Sequence, residues 1–246
     1  MRHRRRSIAA TLVTLASSLL AGSVAAQTPA APPSRPVAFT TTEGTWVSLD
    51  VTRDGRALVF ELLGDIYRVP VDGGRAQPLI TGRAFQSQPR LSPDGTQLVF
   101  ISDETGSDNV WIASTDGRNA RAVTRLPRVG MLSPAWAADG RSIVVTVTEP
   151  HSTRIAELWR YDVASGQGTR LVPNSNGPAQ PLVSAPPPGP YGAWPSPDGA
   201  SLWFTAVTPR PYGSRNGATS ALMRVPVGGG AAEPVVVEGL PAMKPM

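Results

Sequence analysis

Short apolar runs separated by glycine, proline and aspartate dominate the pattern of this chain. In QLVFIS (97–102) and SIVVTV (142–147), β-branched and aromatic residues follow one another with few polar breaks. Such runs are typical of strands that are covered on both faces. Beyond the N-terminus, no window places apolar residues at the i, i+3, i+4 and i+7 positions of an amphipathic helix. The pattern therefore predicts an all-β fold of many short strands.

Four internal repeats organise these strands. An Asp-Gly pair recurs at Asp54, Asp94, Asp139 and Asp198, each time after an extended run and before an apolar strand. The second half of each unit repeats as well, in the order strand, glycine turn, strand. Four strands per unit at a period of about 40 to 45 residues is the signature of a β-propeller blade. The repeats therefore predict a β-propeller of four-stranded antiparallel blades, with about four blades present.

The chemistry of the turn explains its residues. Glycine adopts positive φ without a Cβ penalty and aspartate bonds its own backbone, so Asp-Gly fits a tight hairpin. The 26 prolines and 24 glycines of the chain agree with many such turns. In the strand after the second pair, Leu98, Val99 and Phe100 are core candidates. Each contributes about 1.5 to 3 kcal/mol when it is fully buried.

The repeats also predict the order of segments along the chain. A proline-rich linker and an N-terminal strand occupy residues 27–45, and we expect the strand Val37 to Thr42 to complete the last blade. The blades then follow at residues 46–82, 83–126, 127–174 and 190–238, and a fifth blade starts at 239–246.

The last residues, GLPAMKPM, resemble the start of another innermost strand. Aligned on the second repeat, Pro245 stands opposite Pro89. We therefore expect a fragment with an incomplete ring, whose first and last blades leave apolar faces in water. An open edge of that kind favours self-association. The alternative is a small propeller that closes with four blades.

The N-terminus has the three parts of an export signal. Arginines precede an apolar stretch, Ile8 to Gly22, and small residues lead to a predicted cut after Ala26. The apolar stretch is shorter than the roughly 20 residues that span a bilayer. We expect residues 1–26 to be a cleaved signal peptide, with no membrane span afterwards and a periplasmic or secreted product. The general and the twin-arginine export routes both stay open.

Charge and cysteine content narrow the classes of partner. The signal carries four arginines and no acid, so its removal lowers the formal net charge from +5 to about +1. A nearly neutral protein gives no reason to expect nucleic acid or an anionic membrane as partner. Cysteine is absent, so no disulfide framework stabilises the fold.

Few residues have the pattern of a catalytic or metal site. Beyond the signal, His151 is the single histidine, and we expect it in a surface loop. Asp103, Glu104 and Asp108 are close enough in sequence to hold calcium, but they lack the alternating ligands of a calcium loop, which favours a solvated hairpin turn. No Gly-x-Ser-x-Gly occurs, so a serine hydrolase site is not expected in this chain. We predict no catalytic residue, no cofactor and no metal.

We expect structural roles, rather than roles in binding or catalysis, for the recurring aspartates and for the tryptophans. The Asp-Gly aspartates recur with each unit, which favours a turn role. The tryptophans occupy strand positions, which favours packing between blades over a ligand cage, although one lining the central channel would be a plausible contact. They are Trp46, Trp111, Trp136, Trp159, Trp194 and Trp203.

Four segments resemble the N-terminal propeller of large exported amidohydrolases, whose repeats are similar to the Tol translocation propeller. These segments are FTTTEGTWVSLDV, ELLGDIYRVPVDGG, QPRLSPDGTQLVFISD and SDNVWIASTDGRNARAVT. Arg53 and the pair Ala137-Ala138 depart from the Ser-Pro-Asp-Gly pattern, and two proline-rich inserts, 176–192 and 208–220, enlarge the later repeats. The resemblance implies a metal-dependent hydrolase domain after the propeller, with a His-x-His pair. Those ligands correspond to no position of this chain.

Three hypotheses of function follow. The chain is a non-catalytic propeller that gates or scaffolds an amidohydrolase domain, or a Tol-like propeller that binds another protein, or the propeller of a prolyl-oligopeptidase-like serine peptidase. The expected partner is accordingly a protein or a C-terminal hydrolase domain.

Overall fold

The computed structural model describes residues 39–45, 47–149, 156–172, 189–208 and 219–235. These residues contain sixteen strands and no helix, and the strands form four antiparallel sheets of four strands each. Within each sheet the strands lie in chain order, as in a meander. The architecture confirms the predicted β-propeller blades. No described segment is a helix long and apolar enough to cross a membrane.

Each sheet is one blade, and we number the blades in chain order. The first blade consists of β1 (Leu49–Val51), β2 (Ala57–Leu62), β3 (Asp65–Pro70) and β4 (Gln77–Ile80). The second consists of β5 (Gln86–Leu91), β6 (Gln97–Ser102), β7 (Asn109–Ser114) and β8 (Arg121–Ala122).

The third and fourth blades repeat this order. The third blade consists of β9 (Gly130–Trp136), β10 (Ser142–Thr148), β11 (Ala156–Asp162) and β12 (Gly168–Val172). The fourth consists of β13 (Gly189–Pro195), β14 (Ser201–Thr208), β15 (Thr219–Pro226) and β16 (Glu233–Pro234).

An Asp-Gly turn joins the first two strands of every blade. In the second blade, the Ser92 hydroxyl donates to Asp94 Oδ1 at 2.6 Å, and the Thr96 backbone N–H donates to the same oxygen at 3.0 Å. Gly95 follows with φ of 75°, a conformation that favours glycine. The other turn aspartates accept comparable bonds from their own turns, which agrees with the predicted role; they are Asp54, Asp139 and Asp198.

The core lies between blades rather than inside one. Each pair of consecutive blades encloses an apolar cluster, because alternate side chains of a strand point to opposite faces of its sheet. Val59 and Ile66 pack against Phe100 between blades one and two. Equivalent clusters fill the next two interfaces, around Val99 and Ile143 and then around Val144 and Leu202.

Bulges in the inner strands carry hydrogen bonds across these interfaces. The inner strands of the second and third blades shift register, and Gln88 and Ser133 there have φ of 55°. The Gln88 backbone N–H donates to Glu61 of the first blade, and the Ser133 N–H donates to the Gln88 side chain. Each bulge thus offers an N–H to the preceding blade, a contact that fixes the register between neighbours.

The end blades each leave one face free of a neighbouring blade. In the part of the chain that the structure describes, no strand of the first blade packs extensively against a strand of the fourth. Leu49 and Val51 of the first blade are 48% and 45% exposed, and Trp194 and Trp203 of the fourth are 56% and 39% exposed. The described residues therefore form a row of four blades with two uncovered sides.

Several predicted segments lie partly or wholly outside the described residues. Of the predicted strand Val37 to Thr42, residues 39–42 are described and contain no strand. The predicted start of a fifth blade, 239–246, lies outside the described residues, as do the signal, residues 1–26, and most of both proline-rich inserts.

Candidate functional site

A groove opens between the first two blades, at the end where their Asp-Gly turns lie. Arg53, in the turn of the first blade, reaches across and donates from its guanidinium to the carbonyl oxygen of Pro93 at 2.8 Å. Beside this contact lies a cavity of about 240 Å³, with Val59 and Leu91 among the residues that line it. The turn geometry that the repeats predicted thus creates a recess at this interface.

Charges of both signs line the groove. Arg53 and Arg68 supply guanidinium donors, and Asp54 and Asp94 supply carboxylates. The Thr52 hydroxyl and the Arg56 backbone N–H hold the pKa of Asp54 below its ordinary value, and the nearby charge of Arg68 acts in the same direction. The groove therefore offers donors and acceptors of hydrogen bonds side by side over an apolar floor.

Arg68 is the distinctive side chain of the groove. It lies opposite Val59 on β3, and Arg160 occupies the equivalent position opposite Val144 on β11. The Arg160 guanidinium donates to the carbonyl oxygen of Val227 in the next blade at 2.9 Å. Among the described residues, the Arg68 guanidinium has no hydrogen-bond partner, although Thr115, the equivalent of Val227, also lines the groove. Arg68 is thus a donor whose counterpart at the third interface binds a peptide carbonyl.

Two titratable groups with shifted pKa values have structural partners. Burial raises the pKa of Glu61, while the hydrogen bond from the Gln88 N–H lowers it. Burial also raises the pKa of Tyr161 to about 12, with the Glu157 charge a smaller cause. Tyr161 belongs to the cluster between blades two and three and stacks on Trp159, with ring centroids 6.0 Å apart. Both groups serve contacts within the fold.

The acidic loop predicted as a hairpin turn joins β6 to β7. Asp103 Oδ1 accepts the Phe85 backbone N–H at 2.7 Å, so this carboxylate anchors the segment that enters the second blade. Glu104 and Asp108 are exposed. Within the described ranges, no three histidine, cysteine or acidic side chains lie together as metal ligands would. His151 lies outside these ranges.

The tryptophans divide into two groups. Trp111 and Trp136 are buried between blades, and the Trp136 indole N–H donates to the Arg90 carbonyl oxygen of the preceding blade at 3.1 Å. Together with Trp159 they have the packing role that the sequence predicts. Trp194 and Trp203 instead lie opposite each other on the free face of the fourth blade. Trp46 lies outside the described residues.

The groove was missed by reasoning from the sequence. A signal for it exists, because an arginine recurs at the same place in the third strand of three blades, at Arg68, Arg160 and Arg224. The sequence does not show which of these three arginines donates a hydrogen bond to a carbonyl oxygen of the next blade, because that contact depends on how the sheets pack together.

Comparison with known proteins agrees with this architecture. No family model matches the chain. Tricorn protease homolog 1 of Streptomyces coelicolor is 30% identical over 137 residues, which are 54% of this chain and 13% of that protein. The uncharacterized peptidase YuxL of Bacillus subtilis is 43% identical over 76 residues, or 30% of this chain and 11% of YuxL. TolB of Albidiferax ferrireducens is 29% identical over 82 residues, or 33% of this chain and 18% of TolB.

Solved structures define the class of fold. A putative TolB from Agrobacterium tumefaciens has a TM-score of 0.58 at 20% identity, covering 78% of this chain and 61% of that one. A puromycin hydrolase has a TM-score of 0.54 at 19% identity, covering 77% of this chain and 28% of that one. The chain therefore has a TolB-like β-propeller fold, and it spans less than a fifth of the length of each of the three curated relatives.

These relatives support one part of the resemblance drawn from the sequence and leave the other part without support. The Tol-like character of the blades is confirmed, and propellers of peptidases are similar as well. None of these five proteins is named as an amidohydrolase, so the amidohydrolase resemblance has no support from them. Asp-Gly turns and apolar strands occur in propellers whose other domains are unrelated, so these short repeats alone do not distinguish the amidohydrolase resemblance from the Tol-like one.

Proposed function

We propose that this chain is the non-catalytic β-propeller region of an exported protein and that it binds a polypeptide segment in the groove between blades one and two. The observation that carries the proposal is the contrast between Arg68 and Arg160. At the third interface, the chain itself supplies a backbone carbonyl to the arginine. At the first interface, an equivalent guanidinium lies in an open groove without such a partner among the described residues.

The other groups of the groove suit an extended peptide. A peptide backbone presents carbonyl oxygens and N–H groups in alternation, so it needs donors and acceptors along its path. Arg53 and Arg68 are the donors, and the carboxylates of Asp54 and Asp94 are the acceptors. Val59 and Leu91 offer an apolar floor for one side chain. The names of the relatives support the same ligand class, since two of them are a protease and a peptidase.

Export is part of this proposal. The basic and apolar segments of residues 1–26 support a cleaved signal, and similarity to TolB supports a periplasmic location. The proposal includes both remaining alternatives, a Tol-like protein that binds another protein and the propeller region of a peptidase. The coding sequence beyond Met246 distinguishes them, because Gly-x-Ser-x-Gly downstream identifies the peptidase and a stop after further blades identifies the Tol-like protein. A His-x-His motif there would instead restore the amidohydrolase hypothesis.

A binding assay tests the groove directly. The probe is a pool of fluorescein-labelled dodecapeptides of randomised sequence, measured by fluorescence polarisation against the purified chain. Arg68→Gln should weaken binding by at least about tenfold, since a hydrogen bond from a charged group contributes roughly 1.5 to 3 kcal/mol. Arg75→Gln, which changes an exposed arginine outside the groove, is the matched control.

Two outcomes contradict the proposal. Equal binding by wild type and Arg68→Gln, with Arg75→Gln also equal, would remove the groove as the site. Mass spectrometry of the same peptide mixtures gives the second test, because cleavage that scales with the concentration of the chain would show an enzyme rather than a binding module.

A further inference from the structure

The three interfaces between consecutive blades differ in how closely their Asp-Gly turns approach. The glycine of each turn allows a comparison, because it holds the same position in every blade. A Cβ on Gly199 would lie 2.7 Å from the Cβ of Ala138, and a Cβ on Gly95 would lie 3.6 Å from the Cβ of Arg53. A Cβ on Gly140 would meet no heavy atom within 4 Å. At its turns the third interface is therefore the narrowest, the second is the widest and the first is intermediate.

The chain fills its widest interface with a tryptophan. Trp136 is 4% exposed between blades two and three, and its indole N–H donates to the carbonyl oxygen of Arg90 at 3.1 Å. Arg121, on the outermost strand of the second blade, donates from its guanidinium to the Val163 carbonyl oxygen at 3.0 Å. This interface thus has both a buried aromatic ring and a hydrogen bond from an arginine to a backbone carbonyl.

The narrowest interface has the arginine bond without the ring. Pro195, three residues before its turn aspartate, takes the place of Trp136. Arg160 donates to the Val227 carbonyl oxygen at 2.9 Å. Val163 and Val227 hold equivalent positions, because each donates its N–H to the carbonyl two residues after the turn aspartate. An arginine of the preceding blade therefore binds the same carbonyl at the second and third interfaces.

The first interface has neither feature. Leu91 takes the place of Trp136, and the carbonyl of Thr115 is the equivalent of the two valine carbonyls. Among the described residues no arginine donates to Thr115, and Arg53 donates to the Pro93 carbonyl oxygen instead. These differences coincide with the cavity of about 240 Å³ that Leu91 and Thr115 help to line. Both walls of this cavity belong to blades that the structure describes.

The size and charge of the cavity suit a neutral aromatic side chain. An apolar cavity of roughly 150 Å³ is enough for a benzene ring, so about 240 Å³ has room for a phenyl or an indole ring. The guanidinium groups of Arg53 and Arg68 in its lining favour the face of such a ring. The carboxylates of Asp54 and Asp94 balance their charge, so the ligand needs no anionic group.

We propose that the peptide in the groove between blades one and two is anchored by an aromatic side chain, whose ring takes the volume that Trp136 fills at the next interface. This inference rests on the proposed function, since it names the side chain by which such a peptide is recognised. A backbone carbonyl of the same peptide accepts from Arg68, as the Val227 carbonyl accepts from Arg160. The partner is thus a polypeptide with an aromatic residue in an extended, exposed segment.

Four peptide pools test the anchor. Each pool consists of fluorescein-labelled dodecapeptides with tryptophan, phenylalanine, leucine or alanine fixed at the centre, and its other positions are randomised without aromatic residues. By fluorescence polarisation, the tryptophan and phenylalanine pools should bind the chain at least about tenfold more tightly than the alanine pool. They should bind about threefold more tightly than the leucine pool, since an aliphatic side chain offers no ring face to a guanidinium.

The variant Arg68→Gln separates the failure of this inference from the failure of the proposed function. Equal affinity of all four pools, with the same loss in Arg68→Gln, would overturn the aromatic anchor and leave peptide binding in the groove intact. If no pool binds, or none loses affinity in Arg68→Gln, the groove is not a peptide site, and the inference fails together with the proposed function.

A tryptophan built into the groove gives a test that needs no ligand. Leu91→Trp gives the first interface the residue of the second, so it should raise the midpoint of thermal unfolding. The same variant should weaken binding of the tryptophan and phenylalanine pools at least about tenfold, because its own ring occupies the cavity. Leu63→Trp is the matched control, since it adds the same ring at a leucine that is 73% exposed in a turn outside the groove.

Leu91→Phe adds less volume and is the second variant, which carries the test if Leu91→Trp does not unfold cooperatively. Undiminished affinity of the aromatic pools for a folded variant would place their ring elsewhere and overturn the inference. A lower unfolding midpoint in both variants would overturn it as well, because the cavity would then have no room for a ring.

Discussion

Phe60 and Phe100 occupy the same position in the first and second blades, yet their surroundings differ. Phe100 is 1% exposed, because the first blade covers its face. Phe60 is half-buried and stacks on Tyr67, with ring centroids 5.8 Å apart, because no described blade lies beyond it. The two strands have similar apolar sequences, LVFEL and LVFIS. The burial of a side chain in this fold therefore depends on the neighbouring blade. The end blades show how much of their apolar surface stays exposed on a side where no described blade packs.

Truncation of the two phenylalanines gives the largest expected contrast. Phe100→Ala should lower the free energy of unfolding by about 3 to 5 kcal/mol, as expected for a buried aromatic side chain. Phe60→Ala should cost about 1 kcal/mol, the order of one aromatic pair. Urea denaturation followed by tryptophan fluorescence measures both. Equal costs for the two variants would mean that the first blade is covered as fully as the second.

Two turn glycines extend the comparison of the first and second blades to the backbone. Gly73→Ala and Gly117→Ala both place a Cβ at positive φ, which costs about 1 kcal/mol. Gly117→Ala also drives that Cβ into the Leu79 carbonyl group, and such overpacking adds roughly 1 to 3 kcal/mol. The midpoint of thermal unfolding should therefore fall further for Gly117→Ala than for Gly73→Ala. Equal midpoints would show that the interface relaxes around the added methyl group.

The local chemistry of this fold could be predicted from sequence, whereas its contacts between blades could not. Asp94 and Gly95 identify their turn because the bonds they make lie within a few residues. The bulges at Gln88 and Ser133 left no local signal, since their positive φ is supported by side chains of the preceding blade. The lack of a hydrogen-bond acceptor for the Arg68 guanidinium among the described residues likewise depends on how two blades are placed, so the local sequence does not indicate it. The repeats predict the four-stranded blade. The candidate site arises from differences between equivalent interfaces, which the repeats do not predict.

The third blade differs from its neighbours at one turn residue. Ser92 and Ser196 each donate a hydroxyl to the turn aspartate and accept a backbone N–H from the following strand, from Gln97 and Ser201. Ala137 stands at this position in the third blade. Ala137→Ser should restore both bonds and raise the free energy of unfolding by about 1 kcal/mol, the usual contribution of an intramolecular hydrogen bond.

The reciprocal change controls this prediction. Ser196→Ala should lower the free energy of unfolding by a similar amount, because it gives the fourth blade the turn that the third now has. Chemical denaturation of both variants beside wild type measures the pair. If Ala137→Ser lowered stability instead, the buried methyl site would have no room for the hydroxyl group.

The smallest expected effect is a shift in titration. The Ser92 hydroxyl first, then the Thr96 backbone N–H and hydroxyl, hold the pKa of Asp94 below its ordinary value near 3.8. The folded state therefore releases this proton at lower pH than the unfolded state. The stabilisation is present above the unfolded pKa and is lost as pH falls through the folded pKa. Ser92→Ala removes the largest cause and makes this turn resemble that of the third blade.

Carbon-13 NMR of the Asp94 carboxyl group measures this shift. In Ser92→Ala, the pKa of Asp94 should rise toward its ordinary value, and the pH window over which Asp94 affects stability should narrow from its acidic end. Asp198 is an internal control, since Ser196 holds its pKa low by the same contact and is unchanged in this variant. An unchanged titration of Asp94 would mean that the backbone N–H and the hydroxyl of Thr96 set its pKa without a contribution from Ser92. The Ser92 hydroxyl would then contribute only its bond to the Gln97 N–H, and the third blade would lose correspondingly less by having alanine there.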